Sequence, residues 1–317
     1  MTTANITNPV FPSWKLEYAE GWNKRPMHLQ HTLHQHPLFS LAALASLIKD
    51  YPRENYALIH TSRGGDGERR WREGDMAGAS GQQVMDTIAN GSMWLNLRDI
   101  GRYHSRYGDL LNAAYTELTG HIPGFDPTSM KMGILISSPN AQVHYHCDLP
   151  GQLLWQISGR KRVYVYAPQP PFLEAQALED IALSGFEFKL NYRPEFDAQA
   201  QILELEPGDM LTWPLNSPHR IDNHDCLNIS VTTEHWTDAN RRSQKMNLAN
   251  AVLRQRLGWT PHSRAISGPG YLAKSALQAA WRRSPWAAST QRAHRPIEFR
   301  LASNEPGGMV DVMPPAK

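Results

Sequence analysis

Between residues 130 and 236 the chain is a succession of short segments rich in β-branched and aromatic residues, and this texture limits its fold more than any other feature. The segments are MGILIS (132–137), QVHYHCD (142–148), GQLLWQI (151–157), KRVYVYA (161–167), AQILEL (200–205), DMLTWP (209–214) and CLNISVTTEHW (226–236). Ser-Pro-Asn, Ser-Gly, Pro-Gly and Asn-His-Asp stand between them. Many short strands joined by turns make a sandwich or a barrel. The stretch 168–199 interrupts the series with a Pro-containing, partly helical insertion.

Helical spacing dominates on either side. Residues 36–50, 80–90 (Ser80 as N-cap) and 107–119 carry apolar positions at helical intervals, and Pro52, Gly91 and Gly120 close these runs. After Trp236, Thr237 or Asp238 caps a helix containing Met246, Ala249, Val252, Leu253 and Leu257, which Gly258 ends. A further helix is expected over about 269–283. The polar loop 62–69 reads as mobile and the tail from Pro285 as partly disordered. The segment MHLQHTLHQHP, with His28, His31, His34 and His36, reads as a polar loop, with adventitious metal binding as the rival.

The 317 residues suffice for a sizeable core, and 41% hydrophobic with 20% charged residues is ordinary globular composition. Two cysteines, Cys147 and Cys226, are too few for a disulfide framework and favour a reducing compartment. Neither a signal-peptide pattern nor an apolar run of membrane-spanning length is seen, so a cytoplasmic location is expected. The net charge of +2 is unevenly spread: residues 241–300 hold twelve Lys or Arg against Glu298, giving +11 and leaving −9 elsewhere. Three readings stand: an anionic partner, docking of the two parts on each other, or a solvated helical surface.

Chemistry concentrates in the strand-rich part. His146 and Asp148, two apart on an apparent strand, share a face. His219 follows the Pro207-Gly208-Asp209 turn and the next strand. Two imidazoles and a carboxylate form the facial triad of non-haem Fe(II) oxygenases, which leaves positions open for substrate and dioxygen, whereas structural zinc wants four protein ligands. Lys161, thirteen residues after Asp148 and past a Ser158-Gly159 turn, places an ammonium where it can pair with the far carboxylate of a dicarboxylic keto acid.

On these residues the chain resembles the JmjC/cupin-like 2-oxoglutarate oxygenases, and among them the asparaginyl hydroxylase of hypoxia-inducible factor. The shared pattern is H-x-D at His146/Asp148, Lys161 thirteen residues on, and the distal His219. Gln156-Ile157-Ser158-Gly159-Arg160-Lys161 matches Q-I-x-G-x-K, and Trp236 lies seventeen residues past His219. Gly208, Pro214, His219 and Asn223 match the second cupin motif, with Asn216 where that motif has an internal Gly. The likeness spans roughly residues 90–236. It implies a mainly β fold with flanking helices, a double-stranded β-helix (cupin or jelly-roll barrel) followed by C-terminal helices. The expected division is an N-terminal helical/mixed region over 1–125, the barrel over 126–236 with the insertion 168–199, and a basic helical region and tail over 237–317. It also implies Fe(II), 2-oxoglutarate as co-substrate and dioxygen, a protein/peptide or small-molecule substrate, and a homodimer through the C-terminal helices.

The family's Tyr and Thr that bind 2-oxoglutarate correspond by eye to Trp94 and Val143, which lack hydroxyls, so Lys161 would rely on other helpers such as Ser230 or the Trp94 indole. The polar positions near substrate appear as Asn96, Gln152 and Glu234. His144, on the same apparent strand face as His146, offers a rival H-x-H ligand set. Cys147 is expected to point away from the metal, His224 toward solvent, and Trp155, Trp213 and Trp236 into the core, with a place at the pocket mouth and beside the co-substrate as the other reading of Trp236. Beside the oxygenase stands a second function, a non-catalytic metal-binding cupin acting as sensor or scaffold.

Overall fold

The computed structural model describes residues 9–63, 69–185, 190–288 and 296–312. Its strands are β1 (Met27–Gln30), β2 (Tyr56–Arg63), β3 (Arg69–Asp75), β4 (Met93–Leu97), β5 (Thr128–Ser137), β6 (Gln142–His146) and β7 (Gly151–Ser158). They continue as β8 (Lys161–Val165), β9 (Gln201–Leu205), β10 (Asp209–Thr212), β11 (His219–Asn223), β12 (Asn228–Trp236), β13 (Ile297–Leu301) and β14 (Met309–Asp311). The larger sheet has the order β1-β10-β7-β12-β5-β4-β2-β3-β13-β14, and the smaller β6-β11-β8-β9. From β5 to β12 the chain passes back and forth between the two sheets with antiparallel pairing throughout. That winding is the double-stranded β-helix of the cupin and jelly-roll barrels.

The alternation of apolar residues in each strand divides them between two cores. Met132, Ile134 and Ile136 of β5, Leu153 and Trp155 of β7 and Val231 of β12 face outward. They meet Leu44, Val84 and Tyr115 of the N-terminal helices Leu41–Lys49, Gly81–Asn90 and Ser105–His121. Between the sheets lies a smaller core of Leu154, Val163, Val165, Leu205, Leu211, Trp213 and Ile221. Because Lys161 shares the β8 face with Val163 and Val165, its side chain enters this interior.

Most helix ends are where the caps predict them, but Gly120 does not close its helix: Ser105–His121 runs through it. Ser80 forms a capping box with Gln83, Thr237 caps the long helix Asp238–Leu257, and Gly258 ends it in the left-handed region at φ 66°. The final long helix is Gly268–Arg283. No helix among the described residues is long and apolar enough to cross a membrane.

Two segments read as irregular hold strands. The His-rich stretch is not a loop throughout: Met27–Gln30 pairs with β10, its residues alternately buried and exposed. His31 behind it is buried, its imidazole against the carbonyls of Gln156 and Asp209 at 3.2 and 3.1 Å. Burial and the neighbouring His34 lower its pKa to about 4, so it acts as a neutral strut. Part of the expected disordered tail is also ordered: β13 lies parallel to β3 and β14 pairs with β13. Residues 289–295 and 313–317 of that tail, and 64–68 of the loop read as mobile, lie outside the described residues.

The turn before Lys161 is tightly specified. Gly159 has φ +77°, and a Cβ there would stand 2.3 Å from the Leu227 carbonyl oxygen. Gly159→Ala should therefore cost about 1–3 kcal/mol of stability, read as a lowered urea midpoint; an unchanged midpoint would contradict this account of the turn.

Candidate metal centre and carboxylate pocket

His146 ends β6 and His219 begins β11, and the two are directly paired across the ladder. The register then shifts between His219 and Ile221, so Ile221 faces Val143. This irregularity breaks the alternation of the strand: Val143 and His146, an odd number of residues apart, both turn toward the barrel interior. The simple i, i+2 argument that set His144 beside His146 fails for that reason. His144 instead accepts a hydrogen bond from Trp71 Nε1 at 2.8 Å and stacks on the Trp71 ring, outside the cluster of potential ligands.

Asp148 follows β6 at once. Its carboxylate lies 3.4 Å from His219 Nε2 and 4.0 Å from His146 Nε2. One ligand atom from each of the three residues falls within 4.8 Å of the others. His146 Nδ1–H donates to the His144 carbonyl at 2.7 Å and His219 Nδ1–H to the Ser217 carbonyl at 3.0 Å. With both Nδ1 atoms occupied by backbone, the Nε2 lone pairs face the carboxylate, which is how metal-binding imidazoles are fixed. Asn216 clasps the arrangement, its amide donating to the Asp148 carbonyl at 2.6 Å. Its φ of 62° accounts for the Gly that the cupin motif has here, since Asn tolerates the left-handed region. The Trp213 ring lies 4.4 Å from the His219 ring, shielding it.

Burial raises the Asp148 pKa, and burial with the neighbouring His146 lowers that of His219 well below its usual value. The neutral forms are favoured in this enclosed site, and a divalent cation would compensate the carboxylate charge. Two imidazoles and one carboxylate suit Fe(II), and three protein ligands leave further coordination positions free.

The second feature lies deeper in the barrel. Lys161 pairs with Asn223 across the β8/β11 ladder and Val165 with His219, so the two backbones are four residues, about 13 Å, apart along the strand. Lys161 is only 1% exposed, and among the described residues no carboxylate or hydrogen-bond acceptor pairs with its ammonium. It lines a small cavity of about 10 Å³, room for about one water, with Trp94, Leu135, Ser137, Gln142, Val143 and Asn223 among its walls. Trp94 Nε1–H is also buried with no partner. Ser137 Oγ accepts from Asn223 at 2.8 Å and keeps its own proton to donate. An unpaired ammonium and an unpaired indole N–H beside one cavity are the kind of donors that could hold a carboxylate.

Of the residues named from sequence, this cavity gathers Lys161, Trp94 and Val143, with Asn223 of the cupin motif. Ser230 is employed elsewhere: its hydroxyl donates to Gln156 Oε1 at 2.7 Å, and Gln156 in turn donates to the Ser158 and Gly159 carbonyls, bracing the turn before Lys161. Asn96, Gln152 and Trp236 are not in the cavity wall. Gln152 hydrogen-bonds Glu234, whose pKa is raised by burial and then by Asp148, which sets this pair on the metal side. Trp236 carries the Arg241 guanidinium 5.5 Å above its ring. Cys147 points away from the triad into a cluster with Leu173 and Ile181. His224 is half-exposed and pairs with Glu204 at 2.7 Å. Sequence reasoning missed Ser137 and Asn223 as cavity residues; the inward face that Ser137 shares with Leu135 was the available signal.

No family model matches this chain. Over 126 residues, 37% of the chain, it is 32% identical to tRNA wybutosine-synthesizing protein 5 of the zebrafish Danio rerio, and the match spans only 38% of that relative's length. The Escherichia coli ribosomal oxygenase YcfD superposes over 87% of this chain and 69% of its own, with a TM-score of 0.49 and 18% identity. A structure of it with cobalt and 2-oxoglutarate gives 0.47 and 18% over 89% and 72%. The fold assignment rests on the strand order itself.

Burial lowers the Lys161 pKa from 10.5 to about 7. Between those values the folded chain holds it neutral while the unfolded chain holds it protonated. The unfolded state then binds more protons, so this group makes stability rise with pH across that window. A carboxylate in the cavity reverses the preference. At pH 8, with Co(II) present, 2-oxoglutarate binding should take up about one proton, measured by calorimetry in buffers of different ionisation enthalpy. Binding without proton uptake would contradict the pairing.

Proposed function

We propose that this chain is an Fe(II)- and 2-oxoglutarate-dependent oxygenase that hydroxylates a C–H bond of a protein, peptide or small-molecule substrate. The observation that carries this reading is the Lys161 ammonium, buried without a counter-charge in the same barrel as the His146/Asp148/His219 cluster. A barrel that merely bound a metal would have no need of it.

Bound Fe(II) and 2-oxoglutarate supply the oxidation: the keto acid loses carbon dioxide to give succinate, and one oxygen atom of dioxygen enters the substrate. The chain supplies position and enclosure. His146, Asp148 and His219 hold the metal from one side. Lys161, helped by Trp94 Nε1–H and the Ser137 hydroxyl, holds the distal carboxylate of the keto acid. Val143, Leu154, Val163 and Trp213 exclude water between the two ends. Toward the mouth, Asn96 and Thr232 flank Gly133, where a Cβ would stand 3.1 Å from Thr232 Oγ1 and 3.6 Å from Asn96 Oδ1. With Gln152 and Glu234 they give the approach to the metal a polar wall, suited to a substrate carrying hydrogen-bonding groups. The zebrafish relative is named for tRNA wybutosine synthesis, which puts a modified nucleoside beside peptides and small molecules among the substrates to assay.

Purified chain with Fe(II) should convert 2-oxoglutarate to succinate, faster with substrate present. Lys161→Met should weaken 2-oxoglutarate about ten- to a hundredfold, the worth of one charge-assisted contact, while leaving Co(II) affinity unchanged. An Fe-loaded chain that binds no 2-oxoglutarate, with Lys161→Met indistinguishable from it, would leave the non-catalytic metal-binding cupin as the reading.

A further inference from the structure

The insertion helix Ala175–Ser184 is buried on two sides. Ala177, Leu178 and Ile181 pack with Leu173 and Leu149 against Cys147, which is fully buried and stands in sequence between His146 and Asp148. On the opposite side Ala182 and Leu183 meet Leu248, Val252 and Trp281 of the C-terminal helices. Glu179 is also on that side, 1% exposed. Its carboxylate accepts from Arg254 Nε at 3.0 Å, Arg264 Nη1 at 2.8 Å and Asn250 Nδ2 at 3.3 Å. Arg264 also donates to Asn247 Oδ1, and the neighbouring Asp180 accepts from Gln255 at 2.6 Å. Part of the basic charge of the C-terminal region, that of Arg254 and Arg264, is thus met by Glu179 of the insertion.

Two arginines around one buried carboxylate are a poor source of stability, because the desolvation of the ions offsets most of their attraction. They are strict about geometry, since the guanidinium forks fix where the carboxylate sits. The helix they fix is the one braced against the residue between two metal ligands. We propose that Glu179 is a positioning residue for the metal centre. Clamped by Arg254 and Arg264, it holds the insertion helix on Cys147 and so sets the turn that presents Asp148 opposite the two imidazoles. The inference rests on the metal-centre reading above. It gives the C-terminal helices a part in shaping the site although no residue of theirs is a ligand.

The test is Co(II) titration of the full chain, followed by calorimetry and by the visible absorption of the bound ion. Glu179→Gln keeps the shape and removes the charge. It should weaken Co(II) about tenfold, the usual scale for residues that orient ligands, and alter the absorption intensity. Val84→Ala, in the distant core among the N-terminal helices, controls for lost stability and should leave both readouts at wild-type values. If Glu179→Gln does not fold, Arg264→Lys, on the partly exposed arm of the clamp, should give the same change, several-fold in size. A folded Glu179→Gln or Arg264→Lys with wild-type affinity and spectrum overturns the proposal, as does Val84→Ala shifting both readouts equally. A wild-type chain that binds no Co(II) overturns the metal centre itself and the proposal with it.

Discussion

A lysine ammonium taken out of water with no carboxylate to meet it is the constraint around which the rest of this barrel is arranged. Lys161 is charged in the unfolded chain and is driven toward neutrality by burial in the folded one. A fold keeps such a group when something else brings the opposite charge. Trp94 repeats the situation with a neutral donor, its indole N–H buried and unmatched. The surrounding network braces these donors without quenching them: Gln156, Ser230 and Asn228 hold the backbone of the Ser158-Gly159 turn and leave the ammonium alone.

The Lys161 cavity and the His146/Asp148/His219 cluster are joined by one strand pair. β8 carries Lys161 and β11 carries His219, and the ladder sets them four residues apart along the strand. At the metal end the same economy appears in the backbone: the carbonyls of His144 and Ser217 orient the imidazoles, and the Asn216 turn grips the carbonyl of Asp148. The side chains of the site are therefore placed by hydrogen bonds belonging to the barrel itself. Against its outer face, the insertion and the C-terminal helices add a second layer of support.

Much of this was legible before any coordinates. His146, Asp148, Lys161 and His219 stood out because ligand chemistry restricts residue type and strand geometry restricts spacing. Ser80, Thr237 and Gly258 marked helix ends through backbone groups that must be satisfied. The failures have physical causes. His144 was set beside His146 by assuming an unbroken alternation, and the register shift between His219 and Ile221 cannot be read from sequence. Met27–Gln30 and Ile297–Leu301 were missed because such short strands gain their stability from β10 and β3, partners remote in the chain. Ser230 was drawn toward the co-substrate because residue type alone does not tell which neighbour a hydroxyl will meet; here it is Gln156. Glu179 was invisible for a related reason, since its arginines lie some seventy residues or more away.

The most direct test is a crystal grown anaerobically with Fe(II) and 2-oxoglutarate. The account predicts a metal touching His146, Asp148 and His219, the keto and adjoining carboxylate oxygens of the co-substrate on that metal, and its far carboxylate against Lys161 Nζ with Trp94 Nε1 alongside. Density for the far carboxylate anywhere else in the barrel, with the Lys161 cavity holding only water, would contradict it.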